Sequence, residues 1–224
     1  MTKPQTPLLV TPSLLNSWLY IWLSRDNVKE SANDAICLED KQDLAMQKAY
    51  DEFLGTLRRE QTPPNENMLR GIQYEEDCYK GLTDASPIIK GGAFQIVGKK
   101  NVVVDNVPFL MYGRLDVLKN GIIYDIKRVT RYATQKYLHS AQHGFYLDLF
   151  QDASQFTYLA FDGNKLHQET YYRGQYKPTE AILSDFIQWL RENNLWDVYA
   201  SLWASKKGNW QIWHTHTKKK ATSN

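Results

Sequence analysis

Residues 109–130 constrain the fold more than any other stretch of this chain. They read FLMYGRLDVLKNGIIYDIKRVT, two apolar-rich runs separated by Lys119-Asn120-Gly121. Asn-Gly between apolar runs is a strong hairpin signal, because the tight two-residue turn needs positive φ and these residues tolerate it. Successive side chains of a strand point to opposite faces, so Asp125 and Lys127 share one face. Asp116 stands on the neighbouring strand. Leu115, Val117, Ile123, Tyr124 and Ile126 surround these charges with apolar groups. A buried carboxylate without a partner is costly, so a bound cation is a reasonable partner. Two carboxylates and a lysine on adjoining strands are a set that holds a hard divalent cation and activates water. An Asp-x-Lys pair is also an ordinary feature of an exposed strand, and the hairpin alone leaves both readings open.

The flanking sequence sets this hairpin in a larger sheet. From residue 91 to 129 the texture is β, with strands expected at 93–97, 101–105, 108–118 and 121–129. Gly98-Lys99-Lys100, Asp105-Asn106 and Asn120-Gly121 are the expected turns of an antiparallel meander. FTYLAF at 156–161 is a short buried strand. A helix separates it from the hairpin, so it pairs in parallel within the same sheet. A further strand is expected at 165–172.

Helices surround the sheet. One starts at Thr11-Pro12-Ser13 and carries Leu14, Leu15, Trp18, Leu19 and Trp22 as its apolar stripe. Residues 26–40 read as a loop or short helix, and a second helix spans 41–59. In a third, 67–79, Met68, Ile72, Glu75 and Tyr79 recur at three- and four-residue steps, which sets Glu75 on the inward face. Glu76 is the rival position. Gly71 weakens that helix by roughly 1 kcal/mol against Ala, so close packing is its expected purpose. A fourth helix is expected over 133–150, where Tyr137, Ala141, Phe145 and Leu149 step by four. Gln142 and Tyr146 lie one turn apart on it, and His139 and His143 form a second such pair, expected to face solvent or DNA. Trp- and Leu-rich helices fill 179–202. The expected fold is α/β, with a central mixed β-sheet flanked by helices. The expected organisation is a flexible lead at 1–10, a single domain at 11–212 and a basic tail at 213–224. Within the domain, 11–82 form an N-terminal helical part and 178–204 the C-terminal helices.

The formal net charge is only +2, so any surface for a polyanion must be local. Arg128, Arg131 and Lys136 cluster after the hairpin, with Tyr132 and Tyr137 interleaved, a pattern that tracks a phosphate backbone and stacks bases. Cys37 and Cys78 are far apart in sequence and form no CxxC, which fits a reducing compartment such as the cytoplasm. No secretory leader and no membrane-spanning apolar run is evident.

Four motifs in order, Gly71-x-x-x-Glu75, Gly113-Arg114-Leu115-Asp116, Asp125-Ile126-Lys127 and Gln142-x-x-x-Tyr146, resemble the PD-(D/E)XK nuclease superfamily. The likeness is to its RecB-like branch, which includes CRISPR-associated and phage lambda-type exonucleases. The segment from Thr11 to Tyr20 is similar to that branch's serine-led first helix. The resemblance covers residues 11–161 and implies a restriction-endonuclease-like core. It implies that Glu75, Asp116, Asp125 and the Ile126 carbonyl ligate Mg²⁺ or Mn²⁺, and that Lys127 is the catalytic lysine. Gln142 and Tyr146 would face the site and position DNA or the lysine. Without the family, Gln142 reads equally as helix surface and Tyr146 as core. Ser13, Arg114, Arg128, Arg131 and Lys136 are the expected DNA contacts.

The implied activity is hydrolysis at DNA ends in recombination, repair or phage replication. A single-strand-annealing or recombination protein is the implied partner, and lambda-type relatives form rings. A structure-specific or restriction-type endonuclease and a non-catalytic DNA-end-binding protein are the rival functions. The sequence departs from the family in two ways. Two cysteines cannot hold the four-cysteine iron–sulfur cluster of some relatives, and Tyr20-Ile21-Trp22 replaces a Cys-Pro common after the first helix.

Overall fold

A computed structural model describes residues 6–30 and 39–205 of the 224-residue chain. Its elements run β1 (Leu8–Val10), α1 (Pro12–Glu30), α2 (Glu39–Leu57), α3 (Glu66–Tyr79), α4 (Ser86–Ile89), β2 (Ala93–Val104), β3 (Val107–Lys119), β4 (Ile122–Arg128), α5 (Ala141–Leu149), β5 (Gln155–Phe161), β6 (Leu166–Tyr172), α6 (Thr179–Glu192) and α7 (Trp196–Leu202). The expected α/β architecture is present: a six-stranded mixed sheet flanked by helices, in the order β1-β3-β4-β5-β6, with β2 also on β3. β3 and β4 are antiparallel, and β5 joins β4 in parallel after the α5 crossover, as the sequence implied. The Asn120-Gly121 turn takes positive φ at both residues, 52° and 75°.

Three sequence expectations give way. Residues 8–10 belong to no flexible lead; they form β1, parallel to Phe109, Leu110 and Met111 of β3. Residues 1–5 and the basic tail at 213–224 lie outside the described residues. No turn interrupts 98–100; β2 is one long strand, and Gly98 pairs with Gly113. Gly98 instead leaves room for α5, since a Cβ there would stand 2.6 Å from Phe150 Cζ. The fourth helix begins at Ala141 rather than 133. Ser140 Oγ accepts from the Gln142 N–H as its N-cap, and residues 129–140 run as turns and loop.

The core has three parts. α1, α2, α6 and α7 close over one end of the sheet around Trp18, Phe53, Phe186 and Trp203. α5 covers Leu115, Ile123, Phe156 and Tyr158. α3 and α4 cover Val117, Ile126 and Leu159 through Tyr74, Cys78 and Ile89. α3 is therefore anchored by Tyr74 and Cys78, not by the stripe its spacing suggested. Met68 and Ile72 are 54% and 52% exposed, because only the last two turns of the helix reach the sheet. Gly71 has nothing within 4 Å of a notional Cβ, so close packing does not explain it.

Candidate active site

Strand pairing is broken at Asp116. The β2–β3 register steps from Phe94↔Val117 to Ile96↔Leu115, leaving out Gln95 and Asp116. On the β4 side the ladder ends at Val117↔Tyr124, one position short of Asp116 and Asp125. Gln95 takes a left-handed backbone, φ 55°, uncommon for a non-glycine residue. The side-chain alternation slips here as well. Leu115 and Leu118, three apart, both join the cluster under α5, whereas Val117 joins the one under α3. The Asp116 carboxylate fills part of the opening, with Oδ2 accepting from the Ile126 N–H at 2.9 Å.

Four elements deliver the expected residues to this opening. Asp125, on β4, is 3% exposed. Its Oδ1 accepts from Gln142 Nε2 on α5 at 2.5 Å. Its Oδ2 lies 2.7 Å from Lys127 Nζ, a close ion pair. Glu75, on α3, is half-buried, and its Oε1 accepts from Tyr79 Oη at 2.5 Å and Gln95 Nε2 at 2.7 Å. Glu76 is exposed and pairs with Lys80, so of the two glutamates Glu75 is the one turned toward the sheet. Tyr146 is buried and donates to the Arg114 carbonyl at 2.8 Å. Gly113 makes room for that ring, since a Cβ would sit 2.7 Å from Tyr146 Cε1. Its glycine therefore serves packing and does not open a path for DNA.

The electrostatics follow from three acids around one lysine. Burial, then repulsion by Asp125, raises the Asp116 carboxyl well above its ordinary range. Asp125 is also raised, again by burial first, against the opposing pull of Lys127. Burial alone would lower Lys127. Asp125, Asp116 and Glu75 outweigh it and hold the ammonium above its usual value. Lys127 is therefore held as a cation while the acids are uncompensated. Burial and the nearby Asp125 and Asp116 likewise raise the Tyr146 phenol, which stays neutral.

The carboxylate oxygens of Glu75, Asp116 and Asp125 suit Mg²⁺ or Mn²⁺ chemically. As placed, no three His, Cys, Asp or Glu side chains among the described residues form a group able to hold a metal. Lys127 stands against Asp125, and Glu75 is drawn to Tyr79 and Gln95, so loading would require these side chains to re-aim.

Of the expected DNA contacts, Arg128, Arg131 and Lys136 lie near one another at the end of β4. Arg114, Arg131 and Lys136 are exposed, with Lys136 Nζ donating to the Arg131 carbonyl at 3.2 Å. Arg128 is largely committed to the fold, bonding the Val129 and Phe161 carbonyls and lying over the Phe161 ring. Arg70, Asn67, Arg128, Thr130 and Lys136 line a cavity of about 330 Å³ beside the β4 end. Ser13 is exposed at the start of α1. His143 does not face DNA: it is buried, stacked on Tyr171 at 4.0 Å, with its pKa lowered by burial to about 4.

Two site residues escaped the sequence reading. Gln95 left no trace because its backbone conformation is uncommon for glutamine. Asn16 Oδ1 accepts from Ser140 Oγ and the Ala141 N–H at 2.7 Å, fixing the start of the helix that carries Gln142. A polar residue within an apolar helix stripe was the available signal for Asn16.

No family model matches the chain, and no curated protein matches it. Among solved structures, it is similar to one titled "Crystal structure of SSO0001", with 14% identity, TM-score 0.47, and coverage of 95% of this chain and 85% of that one. A likeness this distant carries no argument about function, which rests on the residues themselves.

Proposed function

We propose that this chain is a Mg²⁺- or Mn²⁺-dependent deoxyribonuclease that hydrolyses phosphodiester bonds at DNA ends. One observation carries the reading. Gln142 from α5 and Lys127 from β4 meet on Asp125, a buried carboxylate whose neighbour Asp116 is buried with it. Two buried acids around one lysine are costly to ionise, and such perturbed clusters gather at functional sites.

In this reading Glu75, Asp116, Asp125 and the Ile126 carbonyl would hold the ion once their side chains re-aim, and it would supply Lewis-acid stabilisation and an activated water. Gln142 fixes the Asp125 carboxylate by binding Oδ1, and Lys127 pairs with Oδ2. Lys127, protonated, stabilises negative charge gathering on the phosphate oxygens. Tyr146 ties α5 to the Arg114 backbone, so the helix bearing Gln142 keeps its height over the strands. Arg114, Arg131 and Lys136 are free to meet the backbone of a bound strand, with Ser13 near its entry. A cytoplasmic location and a single-strand-annealing or recombination partner belong to the same proposal. No helix among the described residues is long and apolar enough to cross a membrane.

A labelled linear duplex, a circular single strand and a nicked circle, each incubated with Mn²⁺ or with EDTA, test the reading. Loss of the linear duplex from its ends with Mn²⁺ alone is expected. Cutting of closed circles would replace the exonuclease with an endonuclease. No metal-dependent loss of any substrate would end the enzymatic reading and leave DNA-end binding.

A further inference from the structure

We propose that the cavity between the start of α3, the end of β4 and the 129–140 loop is a phosphate-binding site that grips the nucleic-acid strand beside the acid cluster. The inference rests on the nucleic-acid part of the reading above and not on its metal part. Arg70 and Asn67 of α3, Arg128 and Thr130 at the β4 end and Lys136 of the loop wall a space of about 330 Å³. Three cations therefore meet in a chain whose formal net charge is only +2. Like charges gathered around one space repel, and an anion seated among them removes that cost. Asp162 is the one acid among the described residues of the wall, and it is engaged elsewhere. Its Oδ1 accepts from the Asn164 and Lys165 N–H groups, both at 2.9 Å, and its Oδ2 lies 2.8 Å from His167 Nε2.

The three cations keep their charge available. Arg128 Nη1 donates to the Val129 and Phe161 carbonyls, and Lys136 Nζ to the Arg131 carbonyl at 3.2 Å. These acceptors are neutral, so the bonds aim both side chains without cancelling their charge. Arg70 meets a carboxylate, Glu66 Oε1, at 2.6 Å through Nη2. That pair is exposed, so its attraction is weak, and the bond takes one of the five guanidinium donors. A planar guanidinium fork matches phosphate oxygens, and the Asn67 amide and Thr130 hydroxyl add neutral donors. The cavity is also close to the acids. Lys127 and Arg128 are consecutive on a strand, so one serves the acid cluster and the next, on the opposite face, the cavity. On α3, Arg70 precedes Glu75 by five residues, about 7.5 Å along the helix axis. A nucleic-acid strand carries one charge per about 3.4 Å of its axis, so that span is about two nucleotides.

The test measures fluorescence anisotropy of a labelled oligonucleotide with the full chain in EDTA, where no hydrolysis intervenes, with thermal melting beside it. Arg70→Gln and Lys136→Gln each remove one exposed cation from the wall. Arg128 is left intact because it also holds the Val129 and Phe161 backbone. Each variant is expected to keep the melting temperature, to weaken binding by about three- to tenfold at low salt, and to lower the salt slope by about one phosphate. Lys48→Gln, on α2, removes the same charge outside the cavity and is expected to change binding by less than about twofold. Wild-type binding in both cavity variants, or losses no larger than that of Lys48→Gln, would overturn the proposal. Oligonucleotides with hydroxyl and with phosphate termini separate the two sources of the bound group. Equal losses on both identify a phosphodiester within the strand, and a loss confined to phosphate termini identifies the terminal monoester; either upholds the site. A wild-type chain that binds no oligonucleotide removes the nucleic-acid reading and this inference together, whereas binding that ignores Arg70 and Lys136 removes this inference alone.

Discussion

Two groups of carboxylates in this domain are treated in opposite ways. Glu169, on β6, accepts from the Tyr137 N–H at 3.0 Å, Tyr132 Oη at 2.7 Å and Tyr171 Oη. Asp148, at the end of α5, accepts from the Thr179 N–H, Thr179 Oγ1 and Tyr176 Oη. Each of these acids is saturated with neutral donors, and each fastens a loop or helix start to the sheet. Asp116 and Asp125 are the contrast. They have fewer hydrogen-bond donors, and burial raises the pKa of both. The difference separates acids that hold the fold from acids that the fold must hold.

The sharpest way to test that contrast is to remove the cation that restrains the under-partnered pair. Lys127→Ala is expected to lower DNA hydrolysis by roughly 10²–10³-fold, a barrier increase of about 3–4 kcal/mol, measured on a labelled duplex with Mn²⁺. A variant with full activity would move the site elsewhere. The opposite arm is Glu169→Ala. It releases two tyrosine hydroxyls and a backbone N–H, so a loss of about 2–3 kcal/mol in urea unfolding is expected. Proteolysis of the native protein should then cut first within residues 129–140.

Stability against pH separates two further groups. His143 is lowered to about 4, so the folded chain gives up that proton while the unfolded chain keeps it to about 6.5. Stability is therefore lost as pH falls from about 6.5 to about 4, by about 3 kcal/mol in total. An NMR titration should find the His143 midpoint near 4. Asp116 acts with the opposite sign. Its folded pKa is raised, so the folded chain keeps its proton longer than the unfolded chain does, and stability falls as pH rises above about 4. Asp116→Asn removes that loss and is expected to stabilise the protein at neutral pH by about 1 kcal/mol while hydrolysis disappears. An unchanged or lower midpoint in urea would place Asp116 with the structural acids. The smallest effect belongs to Gly71→Ala. With open space at the Cβ position and a helical backbone, it should stabilise by somewhat under 1 kcal/mol.

The same comparison explains how much was legible in the sequence. The hairpin could be read because its signals are local: the Asn120-Gly121 turn, and the alternation that puts Asp125 beside Lys127. The parallel β5 could be read from an apolar run following a helix. The inward face of α3 could not, since Met68 and Ile72 satisfy the periodicity yet project past the edge of the sheet, and only tertiary structure decides where a helix stops touching. The start of α5 was misplaced because Tyr137 continues the four-residue step. Its ring stacks on Tyr158 at 4.0 Å from a loop that Glu169 holds down. Gln95 carries no local signal at all.

Strand β1 has a consequence for how the chain assembles. Three residues long, it is flanked by bonds to the far end of the described chain: Leu9 N–H to the Trp203 carbonyl, Ser205 N–H to the Pro7 carbonyl, and Tyr199 Oη to the Leu9 carbonyl. Closing a loop of nearly the whole domain comes late on any route that builds local contacts first. On the ribosome, the outer edge of β1 stays unsealed until residue 205 has emerged. Joining these adjacent ends with a short linker and opening the chain at the exposed 61–65 loop should give a permuted protein in which that closure becomes local, and which refolds faster.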